Sequence, residues 1–274
     1  LNGGQSLLGA EGKMTSRGVR WSLLLFLLFP LLAIGAYADS ITLGTAGSYV
    51  VLAGSTVTNT GPSVLNGNLG VSPGSAVTGF PPGIVNGTIN KANGPAAQAQ
   101  SDLTAAYVKA AGLASTGTLT GQNLGGKVLT PGVYFFASSA QLTGTLTLNA
   151  QGNPNALFVF QIGSTLTTAS NSAVIFTNGL VDKNVFWQVG SSATLGTGTA
   201  FAGNILALTS ITMTTGATIT CGSALARNGA VTLGTNTISG CGSSRTAVPE
   251  PGTLSLMGSG LIILAGIARR KLRT

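Results

Sequence analysis

Short runs of alternating apolar and small polar residues recur through the middle of the chain. Four of them align: FQIGSTLTT (160–168), WQVGSSATLGT (187–197), GNILALTSITMTT (203–215) and GSALARNGAVTLGT (222–235). Each closes on a small or hydroxyl residue, an apolar residue, and then Thr or Gly-Thr. The apolar markers Leu166, Leu195, Met213 and Leu233 are 29, 18 and 20 residues apart. Earlier segments supply Val57 (STVTNT), Val77 (SAVTGF) and Leu146 (GTLTLN), with 57 to 77 and 146 to 166 again 20 apart. A period near 20 of short strands punctuated by Gly, Asn and Ser predicts a solenoid of stacked coils.

Alternation then orients the side chains. In 210–215, Ile211 and Met213 face one side of the strand and Thr212 and Thr214 the other. Stacking aligns equivalent residues into columns, predicted as Thr165, Thr194, Thr212 and Thr232 in one and Thr167, Gly196, Thr214 and Gly234 in the next. Neighbours within a column stand about 4.8 Å apart, and the columns about 6.7 Å apart along the strand. Twelve of the 51 residues from 190 to 240 are Thr, which suits a surface role. Thr is also a good strand former on a solvated face, and composition does not separate the two readings.

One segment has a different period. From Pro95, the spacing of Ala96, Ala99, Leu103, Ala106, Ala110 and Leu113 is 3, 4, 3, 4 and 3, which predicts a helix over about 95–112. A lone helix must lie on something, and the solenoid flank is the large surface available. Asp102, Tyr107 and Lys109 on it read as structural or solvated.

Composition changes the picture by subtraction. The 274 residues include no His, 2 Cys, 13 Lys plus Arg and only 5 Asp plus Glu, for a net charge of +8. Acid-base, metal and nucleophilic chemistry need clusters of such groups, so the chain reads as no enzyme, with no cofactor and no metal site. Most of the positive charge belongs to the ends. Residues 1–38 hold Lys13, Arg17 and Arg20 against Glu11, and 249–274 hold Arg269, Arg270, Lys271 and Arg273 against Glu250. Six cations dispersed over 39–248 form no phosphate-tracking stripe, so no nucleic-acid partner is expected.

Both ends read as addresses. Met14, Arg17 and Arg20 precede an apolar run from Trp21 to Ile34 and the small-residue site Ala36-Tyr37-Ala38. That order predicts a signal peptide over 14–38, cut by signal peptidase before Asp39; residues 1–13 fit a start assigned upstream of the real one. At the other end, Pro249-Glu250-Pro251 precedes an apolar run from Thr253 to Ala268 and the basic stretch RRKLR. This order over 247–274 resembles the PEP-CTERM sorting signal, which implies an exosortase partner and a secreted or cell-surface destination in a Gram-negative bacterium. A plain anchor is the alternative, and both export 39–246. In an oxidising compartment Cys221 and Cys241 are expected to pair, closing a loop worth roughly 3 kcal/mol.

The body of the chain, over nearly all of 41–240, resembles the ice-binding-like family. The similarity rests on SYVVLAGSTVTNTGPSVLNGNLGVSPGSAVTGFPPGIVNGTI (48–89), AQAQSDLTAAY (97–107), LTPGVYFF (129–136), ALFVFQIGSTLTT (156–168), NVFWQVGSSATLGTGTAFAGNILA (184–207) and ALARNGAVTL (224–233). The resemblance implies an all-β solenoid, an irregular three-sided parallel β-helix with one long α-helix packed alongside. It also implies adsorption to an ice surface through a flat Thr-rich face carrying a Thr-(Ala/Gly)-x-(Thr/Asn) motif. Thr168-Ala169-Ser170-Asn171 and Thr215-Gly216-Ala217-Thr218 fit that motif, while the segments from Thr197 and Thr235 fit in part. The candidate ice contacts are therefore Thr165, Thr167, Thr168, Asn171, Thr194, Thr197, Thr212, Thr214, Thr215, Thr218, Thr232 and Thr235. A structural or adhesive protein of the biofilm matrix, contacting exopolysaccharide through the same columns, is the rival expectation. A β-helical polysaccharide lyase or hydrolase is disfavoured by the scarcity of acids.

Overall fold

A computed structural model describes residues 40–179 and 184–241. The expected signal peptide, the sorting segment with Pro249, Glu250 and Pro251, and the two processing sites lie outside the described residues. The described residues from Ile41 onward belong to one compact unit.

That unit is a three-sided β-helix in which all strand pairs are parallel. One coil shows the plan. Gly203 to Ala207 runs along a first side (A), Ile211–Met213 along a second (B), and residues 218–220 along a third (C), before the strand Thr218–Ala226 turns the corner back onto side A. The corner between C and A is made by a register shift opposite Ala202 and Gly203, where Cys221 adopts φ 54° and Gly203 φ 97°. Gly203 must lack a side chain there, because a Cβ would press on Val185 and the Trp187 indole.

The coils do not stack in chain order. Residues 49–91 form two coils, and the helix then carries the chain along side A to the far end of the molecule. From Gly117 the coils climb back until the last one pairs with the first. Val231 lies beside Val57, Leu225 beside Leu52, and Ile238 beside Leu65. The Gly94–Ala111 helix has 18 residues and so spans about 27 Å, long enough to pass five to six coils at about 4.8 Å each.

The interior is apolar because strands turn alternate residues inward, and where the helix covers side A the strands Tyr49–Ala53, Phe158–Ile162 and Val185–Val189 are buried at every position. Tyr134, Phe160 and Trp187 occupy matching positions on successive coils of side A. The Phe160 and Trp187 rings stack at 3.8 Å between centroids and 8° between planes, and Phe201 lies 4.9 Å from Trp187. The indole Nε1 donates to the Ala202 carbonyl at 3.0 Å.

The helix begins and buries as its spacing predicts, one residue earlier than expected at each end. The Asn93 side chain accepts from the Ala96 amide at the N-cap and Pro95 sits in the first turn. Ala96, Ala99, Leu103, Ala106 and Ala110 are buried, and a second apolar cluster joins the helix to Val133, Val159, Phe186, Leu206 and Leu225 on side A. Small alanines let the helix lie close. Buried Gln161 donates through Nε2 to the Ala110 and Leu113 carbonyls, each at 2.8 Å, and so satisfies the helix C-terminus from the sheet.

Asp102 and Tyr107 are structural. Tyr107 packs under the Arg227 guanidinium, 4.6 Å above its ring. The Asp102 carboxylate accepts from the Thr45 hydroxyl and amide, each at 2.7 Å, and from Gln98 Nε2 at 2.8 Å. These bonds, the Thr45 hydroxyl foremost, hold its pKa below the usual carboxylate value. A depressed carboxyl contributes stability above the unfolded pKa of about 3.9, and that contribution is lost as pH falls through the folded value. Acidification below about pH 4 should therefore lower the protection of the Thr45 amide in the wild type, its exchange rate being compared with that of an unstructured amide at the same pH. In Asp102→Asn that protection should already be low at pH 7 and change little on acidification.

Cys221 and Cys241 form the expected disulfide, with Cα atoms 4.1 Å apart. It ties the corner between C and A to the second residue after the final strand, Thr237–Ser239.

Candidate functional site: an uncharged hydroxyl face

Side B is the most regular of the three. Its seven strands lie in the order Ala140–Leu142, Leu166–Thr168, Ala193–Leu195, Ile211–Met213, Val231–Leu233, Thr56–Asn59 and Ala76–Thr78. At the usual spacing that face is about 29 Å tall. The central outward position of each strand gives one column: Gln141, Thr167, Thr194, Thr212, Thr232, Thr58 and Thr78. Six consecutive threonines thus stand in line, and no charged side chain interrupts them.

Two further columns flank the threonines. On one side, two residues earlier in each strand, come Ser139, Thr165, Ser192, Ser210, Ala230, Thr56 and Ala76. On the other side Gly196, Thr214, Gly234 and Thr60 alternate. Several of the flanking hydroxyls are already engaged. Thr165 Oγ1 donates to Ser139 Oγ at 2.8 Å, Thr214 Oγ1 to the Leu195 carbonyl at 2.9 Å, and Thr60 Oγ1 to the Leu233 carbonyl at 3.3 Å. By contrast, no central-column threonine spends its hydroxyl on a partner within the described residues, so those groups face water.

A fourth row runs along the corner between B and C. The hydrogen bonds from Asn171 N to Thr197 O, Gly198 N to Thr215 O and Gly216 N to Thr235 O place Ser170, Thr197, Thr215 and Thr235 side by side. All four are exposed.

The structure corrects the expected columns at one coil. Thr167, and not Thr165, pairs with Thr194, because Leu166 is equivalent to Ala193 and Thr168 to Leu195. The shared Thr-Leu pair misled the alignment by two residues, since the coils differ in corner length. Val57 and Val77 likewise match Val231 and not Leu233.

Three candidate residues lie elsewhere than the motif suggested. Thr168 is buried, 3% exposed. Its hydroxyl lies 2.8 Å from that of Thr199 and accepts from the Gly196 amide at 2.9 Å. It belongs to an internal polar corner that also holds Ser172, Ser63 and Asn236, and cannot touch a surface partner. Asn236 shows how complete that corner is: its Nδ2 donates to the Thr214 and Ala217 carbonyls, at 2.8 and 2.9 Å, while its Oδ1 accepts from Gly234 N. Thr218 stands on side C, paired with Ala200 and Thr237. Asn171 occupies the turn itself at φ 57°. Replacing Thr168 by Val should cost about 1–3 kcal/mol, since it removes the acceptor of the Gly196 amide and the partner of the Thr199 hydroxyl in a buried corner, and should leave the surface activity of the folded protein unchanged; thermal unfolding alongside an ice-growth assay checks both.

Thr58 and Thr78, with Thr56 and Thr60, are the residues that sequence reasoning left out. The segments STVTNT and SAVTGF carried the signal, but chain order gave no reason to place residues 56–78 beyond residue 233.

Among the described residues no group of three or more His, Cys, Asp or Glu could hold a metal ion, and no helix is long and apolar enough to cross a membrane.

These features define a class: solenoids that present a regular, uncharged, hydroxyl-bearing sheet over a packed apolar core. The chain belongs to the ice-binding-like family, whose model matches residues 51–239, and residues 247–273 match the PEP-CTERM protein-sorting motif. It is 59% identical over 244 residues to an ice-binding protein of Nostoc sp. (strain HG1), covering 87% of this chain and 90% of that one. An ice-binding protein of Colwellia sp. is 36% identical over 223 residues, covering 76% and 85%. Among solved structures, an ice-binding protein from the Antarctic ascomycete Antarctomyces psychrotrophicus superposes with a TM-score of 0.71 at 41% identity, over 74% of this chain and 99% of that one. One from an Antarctic biological consortium gives 0.70 at 50% identity, over 72% and 90%.

Proposed function

We propose that the protein is an exported ice-binding protein that adsorbs to ice through side B and slows ice growth and recrystallisation without turnover. The observation that carries this reading is the central column of six threonines whose hydroxyls have no partner among the described residues. Methyl groups at regular spacing can hold ordered water while the hydroxyls anchor it, and no charge competes by hydrating strongly. The surface is pre-ordered by the coils behind it, so adsorption costs little conformational entropy. In this reading the contacts are Thr167, Thr194, Thr212, Thr232, Thr58 and Thr78, flanked by Thr165 and Thr214 and by the corner row Thr197, Thr215 and Thr235. The sorting motif supports export, with an exosortase as processing partner and a Gram-negative envelope as the setting. The decisive experiment follows single ice crystals growing in the mature domain, residues 39–246. Faceted crystals and arrested recrystallisation are expected; unshaped crystals at high micromolar protein would sink the proposal.

A further inference from the structure

The chain enters and leaves the domain on the side away from the threonine face. Ile41, at the entry, is buried in the cluster that joins Leu103 and Ala106 of the helix to side A. The exit is Cys241, at the corner between C and A. It is fastened there to Cys221, and a Cβ on the preceding Gly240 would lie 3.3 Å from Val50, which belongs to side A. In a three-sided prism the corner between C and A is the one that lies opposite side B.

Only five residues, 242–246, separate this exit from the segment that matches the sorting motif. Fully extended they reach about 17 Å, so whatever holds the start of that segment also holds the corner close to it. The disulfide fixes the point of departure: a pull on the chain after Cys241 is passed to the corner at Cys221, and the short final strand Thr237–Ser239 is not peeled from between its neighbours.

We propose that the protein works while attached: tethered through its C-terminal side to the cell envelope, it presents side B outward, so that the cell itself is held to ice. This rests on the ice-binding reading of side B and adds to it a second partner, the envelope, and an orientation. Many copies engaging one ice surface would convert modest single-molecule adsorption into firm retention.

The test uses the full chain, expressed in cells that process PEP-CTERM signals, with surface exposure measured by antibody on intact cells. Cells carrying the wild-type chain should be retained on a washed ice surface roughly a hundredfold better than equally labelled cells carrying Thr212→Tyr. Protein shed from the same wild-type cells by protease is assayed separately for ice shaping. If the shed protein shapes ice but the labelled cells are retained no better than the variant's, the orientation is wrong while the ice reading stands. If no chain remains on the cells, attachment is wrong. If the shed protein does not shape ice, the ice reading fails and this inference with it.

Discussion

Thr212→Tyr should lower thermal hysteresis and recrystallisation inhibition at least roughly tenfold, a loss of only about 1.4 kcal/mol in adsorption free energy, while leaving the unfolding temperature almost unchanged. Thr212 stands in the middle of the central column, between Thr194 and Thr232, and its hydroxyl has no partner among the described residues. A tyrosine ring there projects into solvent and breaks no internal bond, so stability should move by no more than about 0.5 kcal/mol. The same ring lifts the neighbouring columns off any flat partner, and the whole face loses contact at once. Thr220→Tyr is the matched control: Thr220 is exposed on side C, and its replacement should leave activity intact. Loss with Thr220→Tyr and retention with Thr212→Tyr would move the site to side C.

The second large effect concerns the scaffold. Trp187→Ala should destabilise the domain by about 3–5 kcal/mol, lowering the unfolding midpoint by ~10 °C or more. Trp187 is completely buried; its ring lies between Phe160 and Phe201, and its Nε1 satisfies the Ala202 carbonyl. Truncation leaves a cavity in the stack and an orphaned acceptor at the corner where Gly203 turns the chain. Because the flatness of side B depends on the coils behind it, ice activity should disappear at a lower temperature of pre-incubation than in the wild type. A Trp187→Phe variant, which keeps much of the ring, should fall between the two. Calorimetry of the three proteins checks the order; equal midpoints would mean that the stack is not what holds the coils.

How much of this was legible beforehand depends on the length scale of each cause. The helix was readable because its cues are local: Pro95 marks its first turn, and small residues at spacings of three and four give it one packing face. The solenoid was readable from periodicity, and the outward direction of Thr194, Thr212 and Thr232 from alternation within three-residue strands. Columns were harder. They depend on the number of residues in each corner, and the coil containing Thr167 and Thr168 differs from the next by enough to shift the match by two. That is why Thr168, which the local motif marked as a contact, proves to be an internal polar residue bonded to Thr199 and Gly196.

The sequence by itself determined that this chain stacks short strands, lays one helix against them, carries almost no charge on its body and exposes threonine on alternate positions. Only the tertiary structure decided which threonines stand in line. Its cause is the helix: by returning the chain to the far end of the molecule it makes the last coil dock on the first, so Thr58 and Thr78 continue the column begun by Thr167, Thr194, Thr212 and Thr232. Pairing between residues separated by some 170 positions has no local signature. It is fixed by the length of the helix, the burial of its alanine face and the match of two coil ends, terms that exist only once the chain has folded.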